Sequence, residues 1–202
     1  MVPGIPEIRT VVATDDVVEQ PSRLGGRPAV AIVIDDLGGD ISHTRRAIAL
    51  PSVVALSFLP YPAETPSLAR EGRISGHEIL VHVPMEAVST QKPAPMMLMT
   101  GLPSAENVRR LVWALDRVPE HVGINNHEGS RFTANRDALE PVMQELGARH
   151  EFFLDSRTTA DTEAIQVAEA YGVTAASRDV FLDDQDNIDA VDGQLHALEY
   201  KA

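Results

Sequence analysis

The feature that most constrains the fold is a continuous apolar run at residues 29–34, which ends in Asp35 and Asp36. The run is rich in β-branched side chains and has no polar residue at alternate positions. A strand covered on both faces has this pattern, whereas a strand with one face in water alternates apolar and polar residues. The run therefore predicts a strand buried on both faces, with two carboxylates at its carboxyl end.

Composition and charge exclude several classes of protein. The chain has 202 residues, 44% of them hydrophobic, which suits one globular domain with a sizeable core. Its net charge of −13 disfavours nucleic acid and anionic membrane surfaces as partners, because both attract clustered Lys and Arg. The chain has no cysteine, which excludes disulfides and thiolate metal sites. No apolar run approaches the ~18 residues that a membrane helix needs.

The chain divides into a short leading segment and one domain. Residues 1–27 contain several Pro and Gly residues without sustained periodicity, and we interpret them as a tail or linker with a candidate extended piece at residues 8–13. Residues 28–202 form the predicted domain. Residues 1–20 do not have the character of a secretory signal. This leaves two alternatives, a cytosolic protein or an exported one whose export segment is missing from this sequence.

Short apolar runs alternate with segments whose apolar residues recur at helical spacing. This alternation predicts a parallel sheet with right-handed crossovers, for which an open sheet and a barrel are both possible. A Pro- and Met-rich insertion at residues 87–102 is expected to be a long loop near the site, with its methionines in packing roles. Further strands are predicted at 53–59, 78–83, 122–124, 152–154, 173–176 and 180–182, and helices at 66–73, from 104, around 139–146, at 162–171 and at 186–202.

Polar residues that bind metals or move protons directly follow the predicted strands. In parallel α/β folds the carboxyl ends of the strands meet at one rim, where active sites assemble. We therefore expect a site at this rim. The residues concerned are Asp35, Asp36, His82, Asn125, Asn126, His127, Asp155, Asp183 and Asp184.

The adjacent aspartates have two interpretations. Two close carboxylates suggest one metal ligand and one general base, because a nearby cation keeps both ionised. Asp36 could equally open a turn with Leu37, Gly38 and Gly39, as Asp often does. His82 likewise is either a metal ligand or a core histidine that bonds to a backbone carbonyl.

Four sequence phrases, in order, resemble the divergent branch of the polysaccharide deacetylase superfamily. They are Val-Ile-Asp-Asp-Leu-Gly at 33–38, His-Val-Pro-Met-Glu at 82–86, Asn-Asn-His-Glu-Gly-Ser-Arg-Phe-Thr at 125–133 and Phe-Leu-Asp-Ser-Arg-Thr at 153–158. The phrase at residues 76–82 also resembles the motif that leads into a metal-binding histidine in the main family. The resemblance covers about residues 28–184. It implies a distorted seven-stranded (β/α) barrel and a divalent metal, usually zinc.

The resemblance also implies a set of metal ligands and a base. Asp35 corresponds to the catalytic base, and Asp36 and His82 correspond to metal ligands. The main family has a second histidine four residues after the first, where this chain has Glu86. A carboxylate also binds zinc, so Glu86 is a candidate fourth ligand, and His127 is expected to supply the missing imidazole.

Other polar residues near the predicted strand ends are assigned to catalysis or substrate binding. Arg131 and Arg157 are expected to pair with Asp35 or Asp155 and tune the base, or to polarise a substrate carbonyl. Arg131 and Asp155 are accordingly assigned to catalysis. Arg157 is assigned to substrate binding, together with two amide side chains, Asn125 and Asn126.

The resemblance implies a zinc-dependent carbohydrate deacetylase that removes N-acetyl or other acyl groups from an envelope-associated glycan. The expected location is the periplasm or cell envelope, with the cytoplasm as the alternative. The family's closing histidine motif, a general acid in ordinary members, is not visible, because His150 and His196 lie in the wrong context. A catalytically inactive glycan-binding or envelope scaffold on the same fold is therefore the second hypothesis. A hydrolase of ester or phosphoester bonds is the third, although the chain lacks an evident phosphate-binding loop.

Overall fold

The computed structural model of the protein describes residues 29–185 and 187–201. The predicted tail at residues 1–27, with its extended piece at 8–13, lies outside the described residues. Strands and helices alternate along the chain. The strands are β1 (Val33–Leu37), β2 (Ala55–Phe58), β3 (Ile79–Met85), β4 (Gly123–Glu128), β5 (Phe152–Asp155) and β6 (Ala175–Ser177), and the helices are α1 (Ile41–Ile48), α2 (Thr65–Ile74), α3 (Ser104–Arg117), α4 (Arg136–Arg149), α5 (Ala164–Ala170) and α6 (Ile188–Lys201).

The six strands form one parallel sheet in the order β1-β2-β3-β4-β5-β6. Each crossover therefore moves to the next neighbour in the same direction. Right-handed crossovers of this kind place the connecting helices on one face, while the other face turns inward. The arrangement is that of a (β/α) barrel-like sheet, because a doubly wound sheet would reverse its strand order.

The prediction of a seventh strand and of a fully buried first strand needs correction. Residues 180–182 form no strand in the described part of the chain, and Phe181 is exposed with its ring 4.6 Å from the Arg178 guanidinium. The first strand begins at Val33 and includes both aspartates. Its apolar residues Val33 and Ile34 are only half-buried, as is the preceding Ile32, because β1 lies at the edge of the six-stranded sheet.

Helix α1 was not predicted. The helix has only eight residues, so the helical spacing of its apolar side chains extends over too few positions to stand out in the sequence. The N-cap Asp40 accepts a hydrogen bond from the backbone N–H of His43 at 2.9 Å, and Thr44, Ala47 and Ile48 form the buried face. No helix among the described residues is long and apolar enough to cross a membrane.

Alternate residues along each strand face the helix layer. Leu56, Phe58 and Ile79 pack around Gly72 of α2, so they point away from the inner face of the sheet. The intervening residues Ser57 and Leu80 are paired with each other in register and face inward. This alternation of side chains along each strand decides which polar residues near the strand ends reach the interior.

The insertion after β3 is anchored on the end of that strand. Leu98 donates a backbone hydrogen bond to Pro84 at 2.8 Å and accepts one from Glu86 at 2.9 Å. Met97 and Leu98 are buried, and Arg110 of α3 donates to the Met97 carbonyl at 2.6 Å. The insertion therefore packs as a fixed part of the rim around β3.

Gly123 provides a test of the β4–β5 pairing. A Cβ at this position would lie 2.2 Å from the backbone oxygen of Phe152 and 2.8 Å from its carbonyl carbon, so Gly123→Ala would force the two strands apart. We expect this substitution to lower the free energy of unfolding by about 2 kcal/mol or more, as measured by urea denaturation. Gly101→Ala is the matched control, because a Cβ there meets no atom within 4 Å. Equal stability of the two variants would contradict the described register.

A partly buried pair, His121 and Glu151, at the amino-terminal end of the sheet predicts pH-dependent stability. The His121 ring contacts the Val118 carbonyl at 2.6 Å and Glu151 at 3.1 Å. Burial alone would lower the pKa of His121, but its hydrogen bonds and the charge of Glu151 outweigh burial and raise it. The pair therefore stabilises the fold fully below the ordinary imidazole pKa, and this contribution is lost as the pH rises through the raised folded-state pKa.

His121→Gln tests this pH dependence. We expect it to destabilise the protein by about 1–3 kcal/mol near pH 5 and by less near pH 9. Urea denaturation of both proteins at the two pH values measures the difference, in which groups that titrate identically in both proteins cancel. A destabilisation that grows with pH would refute the assigned charge on His121.

Candidate metal centre

A bulge at the end of β1 brings the two adjacent aspartates to the same rim. Ile34 pairs with Leu56 and Leu37 pairs with Phe58, so Asp35 and Asp36 together stand opposite the single residue between those partners. Asp36 has a left-handed backbone with φ of 57°, which is unfavourable for a residue other than glycine. The bulge breaks the strict alternation that would otherwise send neighbouring side chains to opposite faces.

Three side chains from β1, β3 and β4 converge on one point. Asp36 Oδ1 lies 2.9 Å from His127 Nδ1 and 3.2 Å from His82 Nε2. The two imidazole nitrogens are 3.1 Å apart. His82 is buried, His127 is partly buried, and the Asp36 side chain is 63% exposed, so the triangle opens to solvent on the aspartate side.

This triangle fits a divalent cation such as zinc. Ligand atoms on a tetrahedral zinc ion, with bonds of about 2.0–2.1 Å, lie about 3.3–3.4 Å apart, close to the separations found here. One carboxylate and two imidazoles are ligands that zinc uses in catalytic sites, where a fourth position stays open. The ligand atoms of Asp36, His82 and His127 all lie within 4.8 Å of one another, which makes the three side chains a candidate metal-binding cluster among the described residues.

The charges of the three side chains are coupled. The imidazoles of His127 and His82 beside the Asp36 carboxylate, His127 foremost, hold the pKa of Asp36 well below its ordinary value. Burial acts to lower the pKa of His127, but the hydrogen bond and the charge of Asp36 outweigh it, and the pKa is raised. These opposite shifts favour an ion pair between Asp36 and His127, and a cation bound at this point would compete with a proton on His127.

Asp35 lies beside the triangle without belonging to it. Its Oδ2 is 3.7 Å from His82 Nε2 and 3.5 Å from Asn125 Nδ2, and its side chain is 42% exposed. The carboxylate is therefore adjacent to the candidate cation and accessible to water. This is the position that a general base requires.

Strand parity separates the two asparagines of β4. Asn125 is opposite His82 in register, so Asn125 and His127 share the inner face with His82, whereas Asn126 points to the other face. Asn126 donates to the Glu128 carbonyl at 2.7 Å and accepts from the backbone of Ser156 at 2.8 Å. Asn126, assigned from the sequence to substrate binding, thus holds two loops together.

Asp155 is placed on the same face as Asn126, away from the triangle. Its neighbour Leu154 is opposite Asn125, so alternation turns Asp155 outward. The fully buried carboxylate accepts from the backbone of Arg157 and the hydroxyl of Thr162, both at 2.8 Å. The structure therefore does not bring Asp155 to the candidate base, and its two bonds organise the loop after β5.

Glu86 also lies outside the triangle, although it was expected as a fourth ligand. Its carboxylate accepts from the backbone and the hydroxyl of Thr100, at 2.8 and 2.7 Å, and contacts Arg131 Nε at 3.4 Å. These contacts tie the insertion to the turn after β4. Arg131 is thereby held away from Asp35, and Arg157, also exposed, forms no side-chain hydrogen bond or ion pair within residues 29–185 and 187–201.

Tyr61 is a rim residue that was not predicted. Burial and the charges of Asp36 and Glu128 raise the pKa of its phenol. Arg117 of α3 fixes the loop by donating to the carbonyls of Pro60 at 3.1 Å and Pro62 at 2.8 Å. The available signal was an aromatic residue shortly after β2, but no polar residue abuts that strand directly.

The first histidine of the 76–82 phrase, His77, has the structural role that was the alternative for His82. His77 is fully buried, and its ring nitrogens lie 2.8 Å from the Val54 carbonyl and 3.0 Å from the Ile48 carbonyl. His82 has no backbone carbonyl partner among the described contacts. His77 is therefore the core histidine bonded to backbone carbonyls, and His82 is the candidate metal ligand.

Three of the described non-glycine residues with left-handed backbones lie at this rim. Asp36 at the end of β1, Glu128 at the end of β4 and Arg157 just after β5 all have left-handed backbones, with φ of 57°, 56° and 49°. Non-glycine residues adopt this conformation at a cost of order 1–3 kcal/mol and are concentrated at functional sites. The strain therefore supports a function at the carboxyl ends of the strands.

Comparison with known proteins finds one matching family and two related bacterial proteins. Residues 32–202 match the family model described as "Divergent polysaccharide deacetylase". The uncharacterized protein YibQ of Escherichia coli strain K12 is 39% identical over 158 residues, covering 78% of this chain and 50% of YibQ. An uncharacterized protein of Haemophilus influenzae is 33% identical over 173 residues, covering 86% of this chain and 62% of that protein. The chain thus spans about half to two thirds of these relatives.

A solved structure resembles the fold closely. The crystal structure of the uncharacterized protein ATU2773 from Agrobacterium tumefaciens C58 superposes with a TM-score of 0.80 at 31% identity. The match covers 85% of this chain and 71% of that one. The fold described above is therefore shared with a solved protein of related sequence.

The candidate metal centre predicts which substitutions abolish zinc binding. Asp36→Asn, His82→Gln and His127→Gln each remove one corner of the triangle, and we expect each to weaken zinc binding by at least about 100-fold. Isothermal titration of the metal-free protein with zinc measures the affinities. Glu86→Gln is the matched control, because its carboxylate is engaged by Thr100, and it should bind zinc as the unmodified protein does. Equal loss of zinc in Glu86→Gln would contradict the three-residue centre.

Proposed function

This chain belongs to the divergent polysaccharide deacetylase family, and we propose that it is a metal-dependent hydrolase that removes N-acetyl or other acyl groups from an envelope-associated glycan. The observation that carries the proposal is the triangle of Asp36, His82 and His127 with the accessible Asp35 carboxylate beside it. A metal centre with a neighbouring base is the arrangement that hydrolysis of an amide or ester needs.

Each group in the centre has a proposed role. Asp36, His82 and His127 hold the divalent ion, for which zinc is the proposed metal. When bound, such an ion polarises an acyl carbonyl and lowers the pKa of water. Asp35 accepts the proton of the attacking water as its oxygen bonds to the acyl carbon. The same carboxyl group returns that proton to the leaving nitrogen or oxygen as its bond to the acyl carbon breaks.

The exposure of the rim supports a polymeric substrate. The carboxylates of Asp35 and Asp36 are 42% and 63% exposed, so the reacting groups lie at the surface. An acyl group carried on a long glycan reaches such a position without the whole substrate entering a closed pocket. Tyr61 and Arg157 at the same rim are proposed to contact sugar hydroxyls, since both side chains have hydrogen-bond donors. We also propose an extracytoplasmic location, where envelope glycans lie.

Asp35→Asn tests the proposed base. We expect a loss of acyl release of about 10²–10⁴-fold, because the amide cannot accept the proton, while zinc affinity stays near that of the unmodified protein. Acetate released from N-acetylated and O-acetylated polysaccharides, with zinc added, measures the activity. Asp116→Asn is the matched control, since this exposed aspartate lies near the carboxyl end of α3 and is not one of the groups at the candidate centre.

The same assay separates the hydrolase from the alternative scaffold. Release of acyl groups that depends on Asp35 and zinc would support the proposal. Binding of glycans without any acyl release, in protein that carries stoichiometric zinc, would overturn it in favour of a non-catalytic envelope protein.

A further inference from the structure

A buried asparagine lies directly beneath the candidate metal centre. Asn125 in β4 is 1% exposed and is opposite His82 in the register of β3 and β4. The sequence suggested that this amide contacts a substrate, but it has no access to the rim. Its role must therefore be exerted through the side chains that it touches.

All the polar atoms of the Asn125 side chain have protein partners. Its Oδ1 accepts a hydrogen bond from the Ser57 hydroxyl and lies 3.0 Å from His82 Nδ1. Its Nδ2 lies 3.2 Å from Ser156 Oγ and 3.5 Å from Asp35 Oδ2. An amide oxygen has two lone pairs and an amide nitrogen has two N–H groups, so these contacts use the full capacity of the side chain.

The Asp35 carboxylate decides which way the amide points. In the opposite orientation, Asn125 Oδ1 would face a carboxylate oxygen and Nδ2 would face His82, which places two acceptors against each other. With Nδ2 toward Asp35, the amide oxygen faces His82 Nδ1. That nitrogen must then carry the proton, because an amide oxygen only accepts hydrogen bonds.

The location of this proton decides whether His82 can bind a metal. A neutral imidazole has one N–H, so a proton on Nδ1 leaves the lone pair on Nε2, which is the atom that joins Asp36 and His127. We propose that Asn125 is a positioning residue that fixes His82 as the Nδ1–H tautomer and so prepares Nε2 for a metal ion. The inference rests on the proposed metal site but concerns the metal-free protein.

Ser57 and Ser156 complete this buried layer. The Ser57 hydroxyl has Asn125 Oδ1 as its acceptor, and Ser156 is held by its own backbone bonds to Asn126 and Arg178. The amide is therefore clamped from β2 and from the loop after β5. Partners that orient a metal-binding histidine in this way typically change metal affinity by about 10–100-fold.

The test observes the tautomer directly. Long-range ¹H–¹⁵N correlation spectra of the metal-free protein at about pH 8.5, where ordinary imidazoles are neutral, identify the protonated nitrogen of each histidine. Loss of one set of signals in His82→Gln assigns His82. We expect the Nδ1–H form in the unmodified protein, and an Nε2–H signal for His82 would overturn the inference without any other variant.

Two substitutions at position 125 sharpen the test. Asn125→Leu removes the acceptor, and we expect loss of the pure Nδ1–H form with about 10–100-fold weaker zinc binding. Asn125→Asp keeps an acceptor against Nδ1, so the Nδ1–H form should persist, which covers the case in which the leucine variant does not fold. Asn107→Leu is the matched control, since the side chain of this buried asparagine bonds to the backbone of Met99 and its replacement should leave the His82 tautomer unchanged.

The outcomes separate this inference from the proposed function. An unchanged Nδ1–H signal in a folded Asn125→Leu protein, or an Nε2–H signal in Asn125→Asp, would refute the positioning role. The Nδ1–H form with zinc binding but no acyl release would refute the hydrolase and leave the role of Asn125 intact.

Discussion

The candidate site depends on a bulge in the first strand. Strict alternation would send the adjacent carboxylates of Asp35 and Asp36 to opposite faces of the sheet, and only one could then meet a cation. By placing both residues opposite one residue of β2, the bulge gives the rim a ligand and a separate base. The left-handed backbone of Asp36 is the conformational cost of this arrangement.

The parallel register supplies the rest of the centre. Because His82 stands opposite Asn125, one face of β3 and β4 carries a ligand histidine, its buried amide partner and the second histidine two residues further along β4. The other face carries Asn126 and, on β5, Asp155, which stabilise loops through backbone contacts. Residues that look equivalent in the sequence therefore have unrelated roles, because neighbouring residues of a strand point to opposite faces of the sheet.

The polar groups around the candidate centre have protein partners. The lowered pKa of Asp36 and the raised pKa of His127 reflect their mutual contact, which favours the charged form of each side chain. Beside them, Asn125 bonds to the buried Ser57 and to the partly buried Ser156. A preformed site of this kind costs little reorganisation when a cation binds.

The sequence by itself determined the order of elements and the residues at the strand ends, because apolar periodicity and abrupt polar endings are local signals. It indicated β2 to β6, helices α2 to α6 and the gathering of Asp36, His82 and His127, yet it omitted the short helix α1 and predicted a strand at residues 180–182 that is not formed. Only the tertiary structure decided that Glu86 bonds to Thr100 and that Asp155 and Asn126 face outward. Register, bulges and long-range partners decide these placements, and none of them is encoded in the spacing of residues along one strand.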